Sequence, residues 1–334
     1  MMNERTMDEL KARLAEIEAE VKGTKVDKTA TDEKKEKIYN SAFWEHMHTG
    51  MPSNALKEGS DGAGGYLVPD EYNDRLVKAL EDKKIMRKLG TTMTTEHDLK
   101  IPVVIEDGVA DWIEEGKPMS FMDVEFGQVT IGAHKLAAAV RCTDELLEDS
   151  GVDLEKYVED AFVEAIGAAE EEAFIMGDGK GKPTGIVYQA EVGVEVPLED
   201  LNLDAALLLM YSVKRAYREK GAVFVMSEEA YRILRKEKVR DGRYVWATEL
   251  QDGEPDTLFG VHVYVSKDMP ELASGNAVIL YGDFSYFWIG DRGKRKIKRL
   301  EERYAEQGLV AFITSERVDA KLVIPETVKT LKIK

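Results

Sequence analysis

Glu170–Ile186 reads EEEAFIMGDGKGKPTGI. An acidic amphipathic helix runs into Phe174-Ile175-Met176 and stops on a loop with glycine at Gly177, Gly179, Gly181 and Gly185. A glycine-rich loop beside a helix invites a phosphate-binding reading, and the residues refuse it. A P-loop requires G-x-x-x-x-G-K-[ST] after a strand, so that backbone N–H groups and a helix N-terminus converge on phosphate. Here Met176 stands where the first glycine belongs, and Pro183 replaces the Ser/Thr that would hold a metal. The dinucleotide fingerprint G-x-G-x-x-G fails at Thr184. The loop also leaves the C-terminal end of its helix, where the dipole is negative and repels phosphate.

Two other segments align with this loop in order and spacing: GGYLVP at Gly64–Pro69 and AHKLAAAVRCTDELLEDS at Ala133–Ser150. A tryptophan-containing insertion, Ala110–Gly116, precedes the second, and the chain closes with ITSERVDAKLVIPE. Taken together, from Gly64 to the C-terminus, the chain resembles the tailed-bacteriophage major capsid proteins of the Hong Kong 97 fold. The resemblance implies an α+β protein with a long spine helix, peripheral and axial domains, an extended hairpin loop and an N-terminal arm. It divides the chain into a helical scaffold-like segment and tether (1–37), the N-arm (38–69) and the start of the peripheral domain (70–95). The hairpin E-loop (96–140), the peripheral domain with its spine helix (141–191), the axial domain (192–302) and the C-terminal peripheral strands (303–334) follow.

Composition agrees with a folded, non-membrane protein. The 334 residues are 43% hydrophobic and 33% charged, the proportions of a globular chain long enough to bury a core. No apolar run approaches membrane-spanning length, and Met1–Gly23 is too charged for a signal peptide. A lone cysteine, Cys142, excludes an intramolecular disulfide and reads as a buried structural thiol. The net charge of −18 excludes a basic face that wraps nucleic acid, while an acidic inner wall would let packaged DNA slide without specific binding. Acidity is also a route to solubility.

Along the chain, Thr6-Met7-Asp8-Glu9 forms a capping box, and Met7, Leu10, Leu14, Ile17 and Val21 take the a/d spacing of a coiled coil over about two heptads. Such a short helix needs a partner; docking on its own domain is the other reading. Thr24–Lys37 reads as a charged tether. Tyr72, Leu76 and Leu80 mark a helix after Pro69. Leu99–Ile105 and Val124–Ile131 alternate as two strands of a hairpin. Its tip carries Trp112, Glu114, Glu115, Lys117 and Phe121, where large apolar groups on a protrusion point to another chain; folding back on its own core stays open. Asp153 caps the long helix Leu154–Met176, with a stripe of Leu154, Val158, Ala161/Phe162, Ala165, Ala169 and Ala173. Further helices are expected from Asp204 to Gly221 and from Ser227 to Lys236. Strands are expected at Phe259–Val265, Ala277–Tyr281, Tyr286–Ile289, Leu309–Thr314 and Arg317–Ile324.

No catalytic constellation emerges. The five histidines lie far apart without metal-ligand spacing, and no G-x-S-x-G, H-E-x-x-H or C-x-x-C occurs. The chain is therefore expected not to be an enzyme and to use no cofactor or metal. Glu170-Glu171-Glu172 reads as a solvated acidic face. The basic cluster Lys294, Arg295, Lys296, Lys298 and Arg299 lacks the interleaved aromatics of a nucleic-acid patch; it reads as inter-subunit charge pairing or as an exposed strand.

The function so implied is structural: pentamers and hexamers closing into an icosahedral phage head around double-stranded DNA, assembled in the host cytoplasm and resident in the virion. Its partners would be other copies of itself, the portal, a prohead protease and decoration proteins. An encapsulin-like bacterial nanocompartment shares the fold and is the alternative. An enzyme using the Gly177–Gly185 loop for an anionic substrate is a remote one. Some members of the family join an E-loop lysine to a C-terminal asparagine with a glutamate as base. This chain has Lys117, Lys135 and Glu316 but no asparagine after Asn276, so no crosslink is expected.

Overall fold

The computed structural model describes residues 37–51, 56, 66–104, 126–148, 153–238, 245–246 and 256–334. The hairpin-tip residues Trp112, Glu114, Glu115, Lys117 and Phe121, and Met7, Leu10, Leu14, Ile17 and Val21, lie outside them.

Two six-stranded sheets share one long helix. The first is ordered β1 (Tyr66–Leu67), β12 (Lys296–Leu300), β13 (Leu309–Leu322), β11 (Phe287–Arg292) and β2 (Thr91–Thr95), with β5 (His134–Thr143) also paired to β13. β13 is its axis. One edge serves β12 with its first half and β11 with its second, while the other edge pairs β5 from Leu309↔Thr143 to Val318↔His134. The two strands expected at 309–314 and 317–324 are thus one 14-residue strand. Ser315 and Glu316 interrupt the apolar pattern without interrupting the ladder.

The second sheet runs β6 (Glu191–Val196), β14 (Val328–Ile333), β10 (Ala277–Gly282), β7 (Val223–Ser227), β9 (Val261–Ser266) and β8 (Thr257–Leu258). Sheet membership departs from the expected boundaries. β11 and β12, placed before residue 302, hydrogen-bond into the first sheet, and the C-terminal β14 belongs to the second. The chain crosses between sheets at Asp283, whose carboxylate accepts from the Ser285 backbone N–H at 3.0 Å, and crosses back after β13.

The spine helix α5 (Leu154–Met176) begins where Asp153 accepts from the Lys156 N–H at 3.1 Å, as its sequence dictates. Val158, Phe162, Val163 and Ile166 pack with Tyr72, Leu76 and Leu80 of α2 (Asp70–Lys83), with Phe43 and Met47 of the helix over 37–49, and with Phe312 and buried Cys142. Farther along, Phe174 and Ile175 join Phe287, Ile289, Val225 and Leu280, so the spine end seats on both sheets. The buried face is wider than the alanine stripe: Ala165 is exposed and Ala169 half-buried, because α2 and α3 (Ile85–Leu89) cover a second side. On the far face of the second sheet, α7 (Leu203–Ser212) and α9 (Glu228–Arg235) build a third core around Leu209, Phe224, Met226 and Leu234. The single helix expected over 204–221 is two. Asn202, not Asp204, caps α7, and Val213 turns extended to plug the core before α8 (Arg215–Arg218).

β3 (Leu99–Val104) and β4 (Phe126–Ile131) form the hairpin arm and, among the described strands, pair only with each other. The arm's base is bolted to the first sheet. Ile131 is buried against Gly290, where a Cβ would sit 2.9 Å from its methyl, and the Gly132 N–H donates to Asp319 at 2.7 Å.

Candidate assembly surfaces and the buried charge network

The glycine loop after α5 is a structural clasp. The Gly185 N–H donates to the Gly177 carbonyl at 2.8 Å, and Asp178 and Thr184 form a bridge. A Cβ on Gly185 would lie 2.3 Å from the Ile175 carbonyl oxygen. The Lys321 ammonium donates to the Thr184 hydroxyl at 3.1 Å, and the Leu322 N–H to the Gln189 amide oxygen at 3.0 Å. Thr184 and Gln189 thus tie the end of the spine to β13.

Five charged side chains close over one another beneath the spine. Arg87 of α3 is fully buried and grips Glu170 of α5 through Nε at 2.7 Å and Nη2 at 2.5 Å. The same guanidinium donates to both Asp291 oxygens, at 3.0 and 2.9 Å. Arg295 donates through Nε to Glu316 of β13 at 2.5 Å and through Nη1 to Asn73 at 2.9 Å. Burial pushes the Asp291 carboxyl up, but the Arg87 charge outweighs it and holds the group below its ordinary value. Burial likewise works against charged Arg87, and Glu170 and Asp291 more than offset it. Two guanidiniums thus face three carboxylates, and Glu316 is the one left short. Its Oε1 has no hydrogen-bond partner, and burial with the nearby Glu170 charge lifts its pKa to about 8. Next door, Glu171 accepts from the Met86 N–H and is raised, chiefly by burial, to about 7. The acidic run is therefore not a solvated face: Glu170 and Glu171 are buried, and only Glu172 is exposed. A guanidinium from a distant segment compensates Glu170, which no local pattern displays.

The basic cluster divides. Arg295 is turned inward, and Arg299 pairs with Glu301 and donates to the Met47 carbonyl at 2.7 Å, so both are corrected to intrachain roles. Arg299 thereby fastens the helix over 37–49 to β12. Lys294 reaches Asp70 at 2.6 Å with both side chains exposed; Lys296 is exposed and Lys298 half-buried. Among the described residues no group of three or more His, Cys, Asp or Glu is placed to hold a metal ion.

Large apolar side chains that sequence reasoning missed stand at the rim of the second sheet: Leu208 and Tyr211 on α7, Val192 on β6, and Phe259 in the β8–β9 turn. Phe259 has a φ of 54°, the one positive value at a non-glycine among the described residues. The Phe259-Gly260 pair just ahead of the alternating run Val261-His262-Val263-Tyr264-Val265 was the available signal.

A spine helix crossing a β13-centred sheet, a projecting hairpin and a separate second sheet with its own core define the architecture of a tailed-phage capsid subunit, the Hong Kong 97 fold. The chain belongs to the phage capsid family, whose model matches residues 64–333. It is 24% identical over 253 residues to the major capsid protein of Klebsiella oxytoca phage phiKO2, covering 71% of this chain and 58% of that one. To the major capsid protein of Escherichia phage T5 it is 26% identical over 274 residues, 76% of this chain and 57% of the relative. The chain thus spans just over half the length of these two curated relatives. Among solved structures, the capsid of the native GTA particle, computed with C5 symmetry, superposes with a TM-score of 0.64 at 28% identity, covering 74% of this chain and 89% of that one.

Proposed function

We propose that copies of this chain assemble as pentamers and hexamers into a closed icosahedral shell around double-stranded DNA, with no catalytic step. The observation that carries this reading is the β3–β4 arm. A two-stranded hairpin is marginal in water on its own, and among the described residues this one is held by its own chain at the base, by Ile131, Gly132 and Asp319. Its remaining length requires another surface, and Trp112 and Phe121 between its strands supply apolar groups for one. Glu114, Glu115 and Lys117 then meet charges of the neighbour, as do Lys294, Lys296 and Lys298 on the β12 side. The N-terminal segment with Met7, Leu10, Leu14, Ile17 and Val21 acts as a built-in scaffold. The domain division follows the expected one, with residues 287–300 moved to the peripheral unit and 328–333 to the axial unit. Portal, prohead protease and decoration proteins are the further partners, and the virion capsid, assembled in the host cytoplasm, is the location. Sedimentation and electron microscopy of the purified protein test this. Capsomers or shells with five- and six-fold positions are expected; a monomer at every salt and protein concentration overturns it.

A further inference from the structure

The hairpin arm leaves the first sheet over the paired strands β11 and β13, where Gly290 stands directly opposite Asp319. Paired residues share one face of a sheet, and their neighbours in sequence point to the other. Asp291 accordingly turns toward the spine, where Arg87 holds it, while Gly290 and Asp319 meet the arm. Because Gly290 has no side chain, Ile131 at the end of β4 seats directly on β11 and is buried there. The Asp319 carboxylate is 3% exposed and is met by backbone: one oxygen accepts from the Gly132 N–H at 2.7 Å, the other from the Ala320 N–H at 2.9 Å. Nε2 of His134 lies 3.7 Å from that second oxygen. A buried carboxylate is tolerated only where such donors meet it, so arm and carboxylate hold each other.

The other strand of the arm has its own tie. Arg292, on the same face as Gly290, pairs with Asp98 just ahead of β3, and the Gly293 N–H donates to the Thr95 carbonyl at 3.1 Å. One tie would leave a hinge; a tie on each strand fixes a direction. Length makes that direction matter. From Leu99 to Val104 the arm runs about 17 Å, so a tilt of about 10° at its base moves Val104 by about 3 Å. Packed contacts weaken over gaps of about 1 Å.

We propose that Asp319 is a positioning residue for assembly: it fixes the direction in which the arm leaves the subunit, and that direction keeps the shell uniform. It acts through Gly132 and the arm. The proposal rests on the reading of the arm as an assembly element. Wild-type shells are therefore measured first, and the arm's direction is read on dissociated subunits, so that failure of that reading and failure of the positioning are distinct.

Spin labels on Gln128→Cys of β4 and Lys156→Cys of the spine, both exposed positions, report the direction in the full chain; the one native cysteine, Cys142, is buried. Wild type is expected to give one narrow distance. Asp319→Ala is expected to make the distribution about twice as wide or wider, because the Gly132 N–H loses its buried acceptor, and to give malformed or mixed-size particles by electron microscopy. Gly290→Ala removes no hydrogen-bonding group and places a Cβ 2.9 Å from the Ile131 methyl. It is expected to shift the distance and cause the same particle defect, which keeps the test decisive if Asp319→Ala fails to fold. Wild-type distances in these variants, or uniform shells from a variant whose arm has moved, overturn the proposal.

Discussion

Replacing Glu316 with glutamine isolates the proton that the buried network requires. Glu316 lies on β13 facing Arg295 of the β11–β12 connection, Asp291 of β11, Glu170 of α5, Arg87 of α3 and Asn73 of α2. With Glu316 protonated, two guanidiniums balance Glu170 and Asp291; ionised, it adds an uncompensated buried charge. The folded pKa of about 8 exceeds the unfolded value of about 4.3, so the folded state binds the extra proton. Stability from this group is therefore fully present below the unfolded pKa and is lost as pH rises through the folded one. Between about pH 6 and about pH 9, linkage predicts a loss of roughly 2–3 kcal/mol from Glu316 and a smaller one, roughly 1–2 kcal/mol, from Glu171, whose pKa is about 7. Urea unfolding of the subunit across that range is expected to show their sum in wild type. Glu316→Gln, neutral and nearly isosteric, is expected to retain only the smaller slope and to gain relative stability at the alkaline end. Parallel pH profiles for the two proteins would refute the assignment of the proton to Glu316.

Arg87→Ala is expected to cost about 3–5 kcal/mol in the same unfolding assay, because it leaves Glu170 and Asp291 buried without their cation; a loss below about 1 kcal/mol would mean that the network contributes little. Gly185→Ala forces a Cβ within 2.3 Å of the Ile175 carbonyl, so thermal unfolding and limited proteolysis should both report a loosened spine terminus, at a cost of about 2 kcal/mol or more. Trp112→Ser with Phe121→Ser is expected to leave the unfolding midpoint unchanged and lower particle yield; unchanged yield would remove the arm tip from the interface. Boiling assembled particles in detergent is expected to release single chains, since no asparagine follows Asn276, and a ladder of multimers would contradict it.

What the sequence by itself determined were the features set by short-range chemistry. The Asp153 cap and the Leu154, Val158 and Phe162 positions of the spine, the Tyr72-Leu76-Leu80 face of α2, the Ser227 start of α9 and the β3–β4 alternation all stand in the structure. Each depends on residues a few positions apart, so its signal is local. Three spaced motifs carried the family. Only the tertiary structure decided which strands share a sheet, that β13 is continuous, and that Glu170 is a core residue. A hydrogen-bond ladder is chosen by a partner strand, and β13 takes three partners that begin at residues 134, 287 and 296. A carboxylate is buried when a cation meets it, and the cation for Glu170 stands 83 positions away.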